Sequence, residues 1–249
     1  MNVLGIDIGG SAVKGAPVDT RRGRLLADRF RVPTPEKLTP ARLAKVVDEV
    51  SRHFHWRGRI GIGFPGVIRD TQILTSANLH PRLIGCDGVS LFSRATGCPV
   101  ALINDAAAAA LAEAKFGAGR GFRGKALLLT LGTGVGSALI SEGVVFPLEL
   151  GHLPLRGRSA ERSVSSAVRE RKDLSWKDWA ARLNAYLEIV EAIIQPELLI
   201  IGGGVSSKHE KFFPYLHTRA RLVPARLGNR AGVVGAAMRG EKARRPRVR

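Results

Sequence analysis

Residues 3–19, VLGIDIGGSAVKGAPVD, decide the fold of this chain. Apolar residues alternate, two glycines follow and a second apolar run begins, a pattern that predicts a strand, a tight turn and a second strand. Residues 126–145, ALLLTLGTGVGSALISEGVV, repeat this layout. Asp7 and Thr130 hold equivalent places, because each stands two residues before the first glycine of its turn. This internal repeat predicts two similar α/β halves.

Three further segments lie between these predicted hairpins. Residues 39–54, TPARLAKVVDEVSRHF, have helical periodicity with a Thr-Pro start. Residues 59–68, RIGIGFPGVI, predict a buried strand that ends in a Pro-Gly turn, and residues 98–105, CPVALIND, predict another. The second strand carries Asn104 and Asp105 at its carboxyl end, where open α/β sheets bind ligands. Asp105 heads an alanine-rich helix, so it is either only an N-cap or also a reactive group.

The last third of the chain predicts a helix, a strand and a second helix. Ser175 and Asp178 resemble a capping box, and Pro196 ends the helix. Residues 197–205, ELLIIGGGV, predict a buried strand before a third glycine cluster, and residues 229–240, NRAGVVGAAMRG, predict a small-residue helix that packs closely on a neighbour. The apolar stripe of the first helix is interpreted as core or as a subunit contact, and consists of Trp176, Trp179, Leu183, Tyr186, Leu187, Val190 and Ile194.

Composition indicates a globular protein with its own core. Of the 249 residues, 45% are hydrophobic and 24% charged. Cys86 and Cys98 form no C-x-x-C pair, so the sequence indicates neither a disulfide framework nor a structural zinc site. The N-terminus begins with a predicted strand and no apolar run reaches the length of a membrane span. We therefore expect a cytoplasmic protein that does not bind membranes.

The formal net charge of +18 is unusual for a chain of this size. A strong positive field attracts anions, so nucleic acid, anionic lipid, a phosphorylated small molecule and an inorganic polyanion are all candidate partners. Arginine-rich surfaces also arise from genome composition alone. Residues 241–249 hold part of the excess and are predicted to form a basic, disordered tail.

Three glycine-rich turns each follow an apolar strand. Hairpins need glycine in any case, but three such turns in one chain favour phosphate binding, since glycine lets backbone N–H groups approach phosphate oxygens. No turn matches the Walker pattern G-x-x-x-x-G-K-[ST], and none fits G-x-G-x-x-G with a following acidic residue.

These motifs resemble those of known sugar kinases. GIDIGGSAVKG, LTLGTGVG and IIGGGV resemble the two phosphate segments and the adenosine segment of actin-like sugar kinases, and GIGFPG, IND and ELGH resemble the sugar-binding motifs of the ROK family (repressors, open reading frames, kinases). The motifs run in the family order across residues 2–238. The resemblance implies an actin-like ATPase (ribonuclease H-like) fold with two α/β domains facing a central cleft. We expect domains at residues 1–105 and 106–227, with a helix at about 228–240 returning to the first.

Within that family, the chain resembles the polyphosphate-dependent glucokinases. Typical ROK proteins carry a zinc-binding cysteine motif shortly after E-x-G-H. Here the segment from Glu149 to Ser163 contains no cysteine, and Glu161 follows His152 closely. The resemblance implies transfer of a phosphoryl group from polyphosphate, and often from ATP, to the 6-hydroxyl of glucose. It further implies Mg²⁺ as cofactor, no structural zinc and a homodimer.

The resemblance also assigns roles to individual residues. Asp105 would be the general base that accepts the proton of the sugar hydroxyl, while also capping its helix. Asp7 would hold Mg²⁺ through water, and its alternative role is to stabilise its own glycine turn. The expected sugar contacts are Asn78, Asn104, Asp105, Glu149, His152 and Glu161. The expected phosphate and nucleotide contacts are Asp7, Gly9, Gly10, Ser11, Lys14, Thr130, Gly132, Thr133, Gly134, Gly202, Gly203 and Gly204.

Two positions depart from the family pattern. Ala107 stands where the family usually has Asp or Asn, and Pro147-Leu148 stand where polyphosphate glucokinases tend to have Asn-Thr. Both departures bear on sugar specificity, and neither removes a proposed catalytic group. Glu149 and His152 also resemble half a metal site, but no further His or Cys accompanies them.

Three other functions are compatible with parts of the sequence. An ATP-only ROK hexokinase acting on glucose or mannose would keep the same motifs. A ROK transcriptional repressor would need a helix-turn-helix domain ahead of the first phosphate motif, which begins at Asp7, so we expect no specific nucleic-acid binding. A degenerate, non-catalytic sugar binder is the third alternative, and the intact set Asp7, Asp105, Glu149 and His152 argues against it.

Overall fold

The computed structural model describes residues 1–35, 38–76, 79–155 and 157–244. Two compact units divide the chain: the first unit comprises Met1–Ala112 and the segment from Arg230 onward, and the second unit comprises Glu113–Asn229. The domain boundaries expected at residues 105 and 227 stay a prediction. Asn78 and residues 245–249 of the predicted tail lie outside the described residues.

The strands and helices are numbered here in chain order. The strands are β1 (Asn2–Ile8), β2 (Ala12–Asp19), β3 (Arg24–Leu25), β4 (Phe30–Pro33), β5 (Ile60–Phe64), β6 (Ile68–Arg69), β7 (Gln72–Ile73), β8 (Val100–Asn104), β9 (Ala126–Leu131), β10 (Val135–Ser141), β11 (Val144–Leu148), β12 (Pro154–Leu155), β13 (Arg158–Ser159), β14 (Leu198–Gly202) and β15 (Arg221–Pro224). The helices are α1 (Pro40–His53), α2 (Gly88–Thr96), α3 (Asp105–Phe116), α4 (Glu161–Val164), α5 (Ser166–Arg171), α6 (Trp176–Ile194) and α7 (Ala231–Gly240).

The two units are built on sheets of the same design. The first sheet has the order β3-β2-β1-β5-β8, with β4 also paired to β2, and the second has the order β11-β10-β9-β14-β15. In each sheet an antiparallel hairpin is extended by parallel strands. The equivalence of Asp7 and Thr130 is confirmed, because their partners on the adjacent parallel strands are Gly63 and Gly202. The predicted internal repeat is therefore confirmed.

One face of the first sheet packs on α1 and α2. Alternation in β1 directs Leu4, Ile6 and Ile8 to this face, where all three are fully buried. Helix α1 covers them with its apolar side, and Thr39 caps it as predicted by accepting the N–H of Arg42 at 3.4 Å. The hydrophobic effect on this face holds the first unit together.

On the other face of the first sheet, Gly5 and Gly61 carry no side chain where α7 crosses them. A Cβ atom added to Gly5 would collide with the carbonyl oxygen of Val233, and one added to Gly61 would collide with that of Ala236. A Cβ atom on Gly240 would in turn lie 2.6 Å from the backbone nitrogen of Gly61. Helix and sheet thus meet backbone to backbone, which confirms the predicted close packing of the small-residue helix.

In the second unit, α6 supplies the core as predicted. Trp179, Leu183 and Tyr186 are buried with the rest of the stripe, and Trp176 and Ile194 are partly buried against the same cluster. Ser175 accepts the N–H of Asp178 at 3.1 Å, so it is the predicted N-cap. The second half of the capping box differs, because the Ser175 hydroxyl donates to the Asp178 carboxylate at 2.6 Å.

The buried carboxylate of Glu113 binds backbone groups near the two places where the chain leaves the first unit and where it returns to it. Glu113 is fully buried and accepts the N–H groups of Ala118, Arg226 and Leu227 at 2.7, 3.1 and 2.7 Å. These bonds tie the end of α3 to the segment just before Arg230, at which the chain re-enters the first unit. No helix in the described part of the chain is long and apolar enough to cross a membrane.

We expect Gly61→Ala to destabilise the first unit strongly, because its methyl group would have to displace the backbone of α7. Overpacking of this kind costs about 3 kcal/mol, which corresponds to a fall in Tm of roughly 6–12 °C for a chain of this length. Thermal unfolding followed by circular dichroism measures the change.

Gly132→Ala is the matched control, because a Cβ atom at Gly132 meets nothing within 4 Å. Its Tm should stay close to that of the wild type. A Gly61→Ala protein with an unchanged Tm would show that α7 does not press on the sheet as described.

Candidate active site

Asp7 and the start of α3 lie next to each other because no side chain separates them. Gly63 is the partner of Asp7 across the β1–β5 pair. A Cβ atom added to Gly63 would lie 3.5 Å from a carboxylate oxygen of Asp7 and 3.7 Å from the Cα atom of Asp105. The carboxylate of Asp7 and the backbone of Asp105, two residues that the sequence singled out for chemistry, therefore lie on either side of Gly63 in the first unit.

Asp7 is a partly buried carboxylate in a positive surrounding. Burial raises its pKa, and the charges of Lys14 and Arg29 oppose that rise. Helix α7 closes over it at Gly232, where an added Cβ atom would lie 2.8 Å from the carboxyl carbon. A nearby cation, or water that donates hydrogen bonds, would stabilise the ionised form of such a desolvated carboxylate.

The glycine turn after β1 is held by groups other than Asp7. The N–H of Gly9 donates to the carbonyl of Ala12 at 3.0 Å, and the hydroxyl of Thr34 donates to the carbonyl of Gly9 at 2.8 Å. The N–H of Thr34 donates to the carbonyl of Ser11 at 3.2 Å. Sequence reasoning missed Thr34, because it lies on a separate segment and carries no motif.

The prediction that Asp105 caps its helix is wrong, because Asn104 does so. The side-chain oxygen of Asn104 accepts the N–H of Ala107 at 3.0 Å, and Asp105 is the first residue of the helix. Asp105 instead accepts the N–H of Ala106 at 2.7 Å. Asn and Asp are equally good N-caps, and only Asp105 was considered for this position from the sequence. Asp105 nevertheless lies in the first turn, where the helix dipole favours its ionised form.

Asn104 has a structural task besides the expected sugar contact. Its side-chain nitrogen donates to the carbonyl of Gly66 at 3.2 Å, and the residue is only 7% exposed. It thereby ties the Pro-Gly turn of GIGFPG to the start of α3. Its contact with a sugar stays a prediction, as does that of Asn78, which lies outside the described residues.

The second unit brings three predicted sugar residues together. Nε2 of His152 lies 3.5 Å from a carboxylate oxygen of Glu149, and these side chains are 54% and 41% exposed. Burial raises the pKa of Glu149, His152 lowers it and Glu161 raises it further. Glu161 is thus close enough to act on Glu149 electrostatically. Within the described ranges, no three His, Cys, Asp or Glu side chains are placed to hold a metal ion.

Ser137 fixes the loop that carries Glu149. Its fully buried hydroxyl donates to the carbonyl of Leu148 at 2.8 Å and accepts the N–H of Leu150 at 3.0 Å, one residue on either side of Glu149. Ser159 donates to the carbonyl of Gly151 at 2.9 Å and so holds the same loop from β13. In the sequence, Ser137 is marked only as the single hydroxyl residue in the apolar run VGSALI. Sequence reasoning missed its role.

The second and third glycine turns are adjacent in the second unit. A Cβ atom on Gly202 would lie 3.4 Å from the methyl group of Thr130, and Gly203 packs on the carbonyl of Leu131 with a φ of 82°. The carbonyl of Gly132 accepts the hydroxyl of Ser166 at 3.1 Å and so ties this turn to α5. The two glycine clusters are brought together, and their contact with phosphate or nucleotide stays a prediction.

The two departures from the family pattern have clear structural positions. Ala107 is 2% exposed in the first turn of α3, where its backbone N–H donates to the side chain of Asn104. Pro147 lies on β11, an edge strand of the second sheet, opposite Ala138. Proline is tolerated on an edge strand because no further strand needs its missing N–H.

We expect Ser137→Ala to weaken the second unit by about 2 kcal/mol, because the buried carbonyl of Leu148 and N–H of Leu150 both lose their partner. The same change should loosen Glu149 and weaken binding of glucose, the sugar that the motifs imply. Thermal unfolding and calorimetric titration with glucose measure the two effects. Ser141→Ala on the same strand is the matched control, and equal behaviour of the two variants would contradict the assigned role.

Comparison with known proteins identifies the family. The ROK family model matches residues 3–162. Polyphosphate glucokinase of Mycobacterium tuberculosis (strain CDC 1551 / Oshkosh) is 43% identical over 237 residues, covering 94% of this chain and 89% of that protein. The crystal structure of inorganic polyphosphate/ATP-glucomannokinase from Arthrobacter sp. strain KM superposes with a TM-score of 0.92 at 43% identity, covering 95% of this chain and 97% of the other.

A more distant structure shows the same fold. The ROK family glucokinase from Streptomyces griseus, solved with glucose and AMPPNP, has a TM-score of 0.81 at 24% identity, covering 98% of this chain and all of the other. The fold is therefore that of the actin-like ATPases, as the motifs implied. The chain belongs to the ROK family.

Proposed function

We propose that this protein is a polyphosphate-dependent glucokinase that transfers a phosphoryl group from inorganic polyphosphate to the 6-hydroxyl of glucose, with ATP as a second donor. The observation that carries the proposal is that Gly63 has the carboxylate of Asp7 and the backbone of Asp105 on either side of it, beside a glycine turn. The 43% identity with a polyphosphate glucokinase and with a polyphosphate/ATP-glucomannokinase supports it.

Asp105 is proposed as the general base. Phosphoryl transfer asks the protein mainly for positioning and charge stabilisation, with one group to accept the proton of the attacking hydroxyl. The N–H of Ala106 orients the carboxylate of Asp105, and the first turn of α3 favours its charged form. Because Asn104 caps the helix, Asp105 is not required for that task.

Glu149 and His152 are proposed to clasp adjacent hydroxyl groups of the sugar, with Glu161 beside them. Both side chains are exposed enough to reach a ligand, and Nε2 of His152 lies 3.5 Å from the carboxylate of Glu149. An ionised Glu149 accepts hydrogen bonds from hydroxyls. Because burial raises its pKa, protonation starts at a higher pH than for an ordinary glutamate, and sugar binding should weaken on that acidic side.

The donor phosphates are proposed to bind at the glycine turns. Glycine backbone N–H groups and Lys14 supply positive partners in the first unit, and the turn from Thr130 to Gly134 supplies them in the second. The proposed contacts are Gly9, Gly10, Ser11, Lys14, Thr130, Gly132, Thr133 and Gly134, with Gly202, Gly203 and Gly204 at the nucleoside of ATP. A net charge of +18 favours a long polyanion as donor.

The residues present fit a magnesium ion at Asp7. Mg²⁺ takes one or two carboxylates and keeps several waters, so a single partly buried carboxylate beside the donor phosphates matches its needs. Asp7 would hold the ion through water, and the bound ion would neutralise charge on the donor phosphates. We also expect a cytoplasmic homodimer without structural zinc.

A second candidate function is an ATP-dependent ROK glucokinase or mannokinase. The contact between Gly202 and Thr130 favours it, because it places the segment expected to hold adenosine beside a phosphate turn. A DNA-binding regulator and a non-catalytic sugar binder fit less well, since neither uses the paired carboxylates. The donor and the sugar therefore have to be measured.

The experiment is a coupled glucose-6-phosphate assay with Mg²⁺, run in parallel with polyphosphate and with ATP on the wild type and on Asp105→Asn. We expect wild-type turnover with polyphosphate. Loss of the base should lower kcat by about 100-fold or more, while the Tm and glucose affinity of the variant stay near those of the wild type.

Three outcomes would contradict parts of this proposal. Wild-type turnover with ATP alone would make the protein an ordinary ROK glucokinase. Faster turnover with mannose than with glucose would change the acceptor. An Asp105→Asn enzyme that is within a few-fold of the wild type would remove the general base from Asp105.

A further inference from the structure

Three charged residues form one row across the first sheet, on the face that carries Asp7. Asp7 is the partner of Lys14 in the β1–β2 pair, and Lys14 is the partner of Arg31 in the β2–β4 pair. Directly opposed residues of antiparallel strands point to the same face. Strands lie about 4.8 Å apart, so the row extends about 10 Å from Asp7 to Arg31.

The residues that alternate with this row settle which face it occupies. Val13 and Val32 flank Lys14 and Arg31 along their strands, and both are buried in the core beneath α1. Lys14 and Arg31 therefore point to the opposite face, where Lys14 is partly buried and Arg31 is exposed at the edge of the sheet. The row leads outward from the glycine turn to solvent.

The outer end of the row consists of two adjacent cations, Lys14 and Arg31. Like charges directly opposite each other on a sheet are destabilising, and Lys14 faces Arg31 in this way. Asp7 interacts electrostatically with Lys14. The ion pairs Arg22–Asp19, Arg52–Asp48 and His152–Glu149 do not involve Arg31. A bound anion would relieve the repulsion between Lys14 and Arg31.

We infer that Lys14 and Arg31 bind successive phosphates of the donor chain beyond those at the glycine turn, and that Arg31 favours long polyphosphate over ATP. This inference rests on the proposed function. The donor end of ATP carries three phosphates and then a nucleoside, whereas polyphosphate continues as a chain of negative charge. A cation about 10 Å along the sheet from Asp7 is reached by a long chain and not by a short one.

The test compares Arg31→Gln with Arg24→Gln at saturating glucose, using long-chain polyphosphate, inorganic tripolyphosphate and ATP as donors. Arg24 is the matched control because it lies at the same sheet edge and is also exposed. As the partner of Asp19, it points to the face opposite that of Lys14. Both changes remove one charge and leave the fold intact.

We expect Arg31→Gln to raise the KM for long-chain polyphosphate about three- to fivefold, the effect of one exposed charge contact. The effect should be smaller for tripolyphosphate and ATP. The slope of log KM against log salt concentration for long-chain polyphosphate should fall by about 0.7, since one phosphate contact is lost. Arg24→Gln should match the wild type with every donor.

Equal effects of the two variants, or equal effects of Arg31→Gln on all three donors, would overturn the inference and leave the proposed function standing. A wild-type enzyme that uses ATP but not polyphosphate would overturn the proposed function before any variant is made. Polyphosphate would then be tested as an inhibitor of ATP turnover. If polyphosphate inhibits the wild type and Arg31→Gln with the same inhibition constant, Arg31 does not bind polyphosphate, and the inference is contradicted.

Discussion

The backbone contact between α7 and the first sheet is the constraint on which the rest of the structure depends. Helix α7 comes late in the chain, yet it rests directly on β1 and β5 because Gly5 and Gly61 leave room for its carbonyl groups. The same approach places Gly232 against the carboxylate of Asp7. A contact that stabilises the first unit therefore also shapes the surroundings of Asp7.

The glycines on this face of the sheet have a second consequence. Gly63 continues the bare strip, and at that point Asp7 and the first turn of α3 become neighbours. This face thus carries Asp7, the residue proposed to hold a cation, with Lys14 and Arg31 in line beside it, and Asp105, the proposed base, follows at the start of α3. The proposed site and the contact with α7 share one face of the sheet, while the opposite face is apolar core.

Features encoded in local periodicity could be predicted from the sequence, and features that depend on distant partners could not. The hairpins, the helix from Pro40, the stripe of α6 and the close packing of α7 follow from patterns of apolar and small residues. The choice of Asn104 over Asp105 as cap could not be made, because both residue types suit that position. Thr34 donates to the carbonyl of Gly9, 25 residues earlier in the chain, so no local pattern marks it. Ser137 does stand alone as a hydroxyl in an apolar run, but the sequence does not reveal which backbone groups it binds.

Native-state amide hydrogen exchange tests the central claim most directly. If α7 and the glycine-lined strands form one cooperative unit, the slowest amides of α7, β1 and β5 should exchange with the same free energy of opening, equal to that of unfolding the first unit. Amides in α7 that exchange by a separate opening of much lower free energy, while β1 and β5 stay protected, would show that the helix is an appendage and would contradict the account.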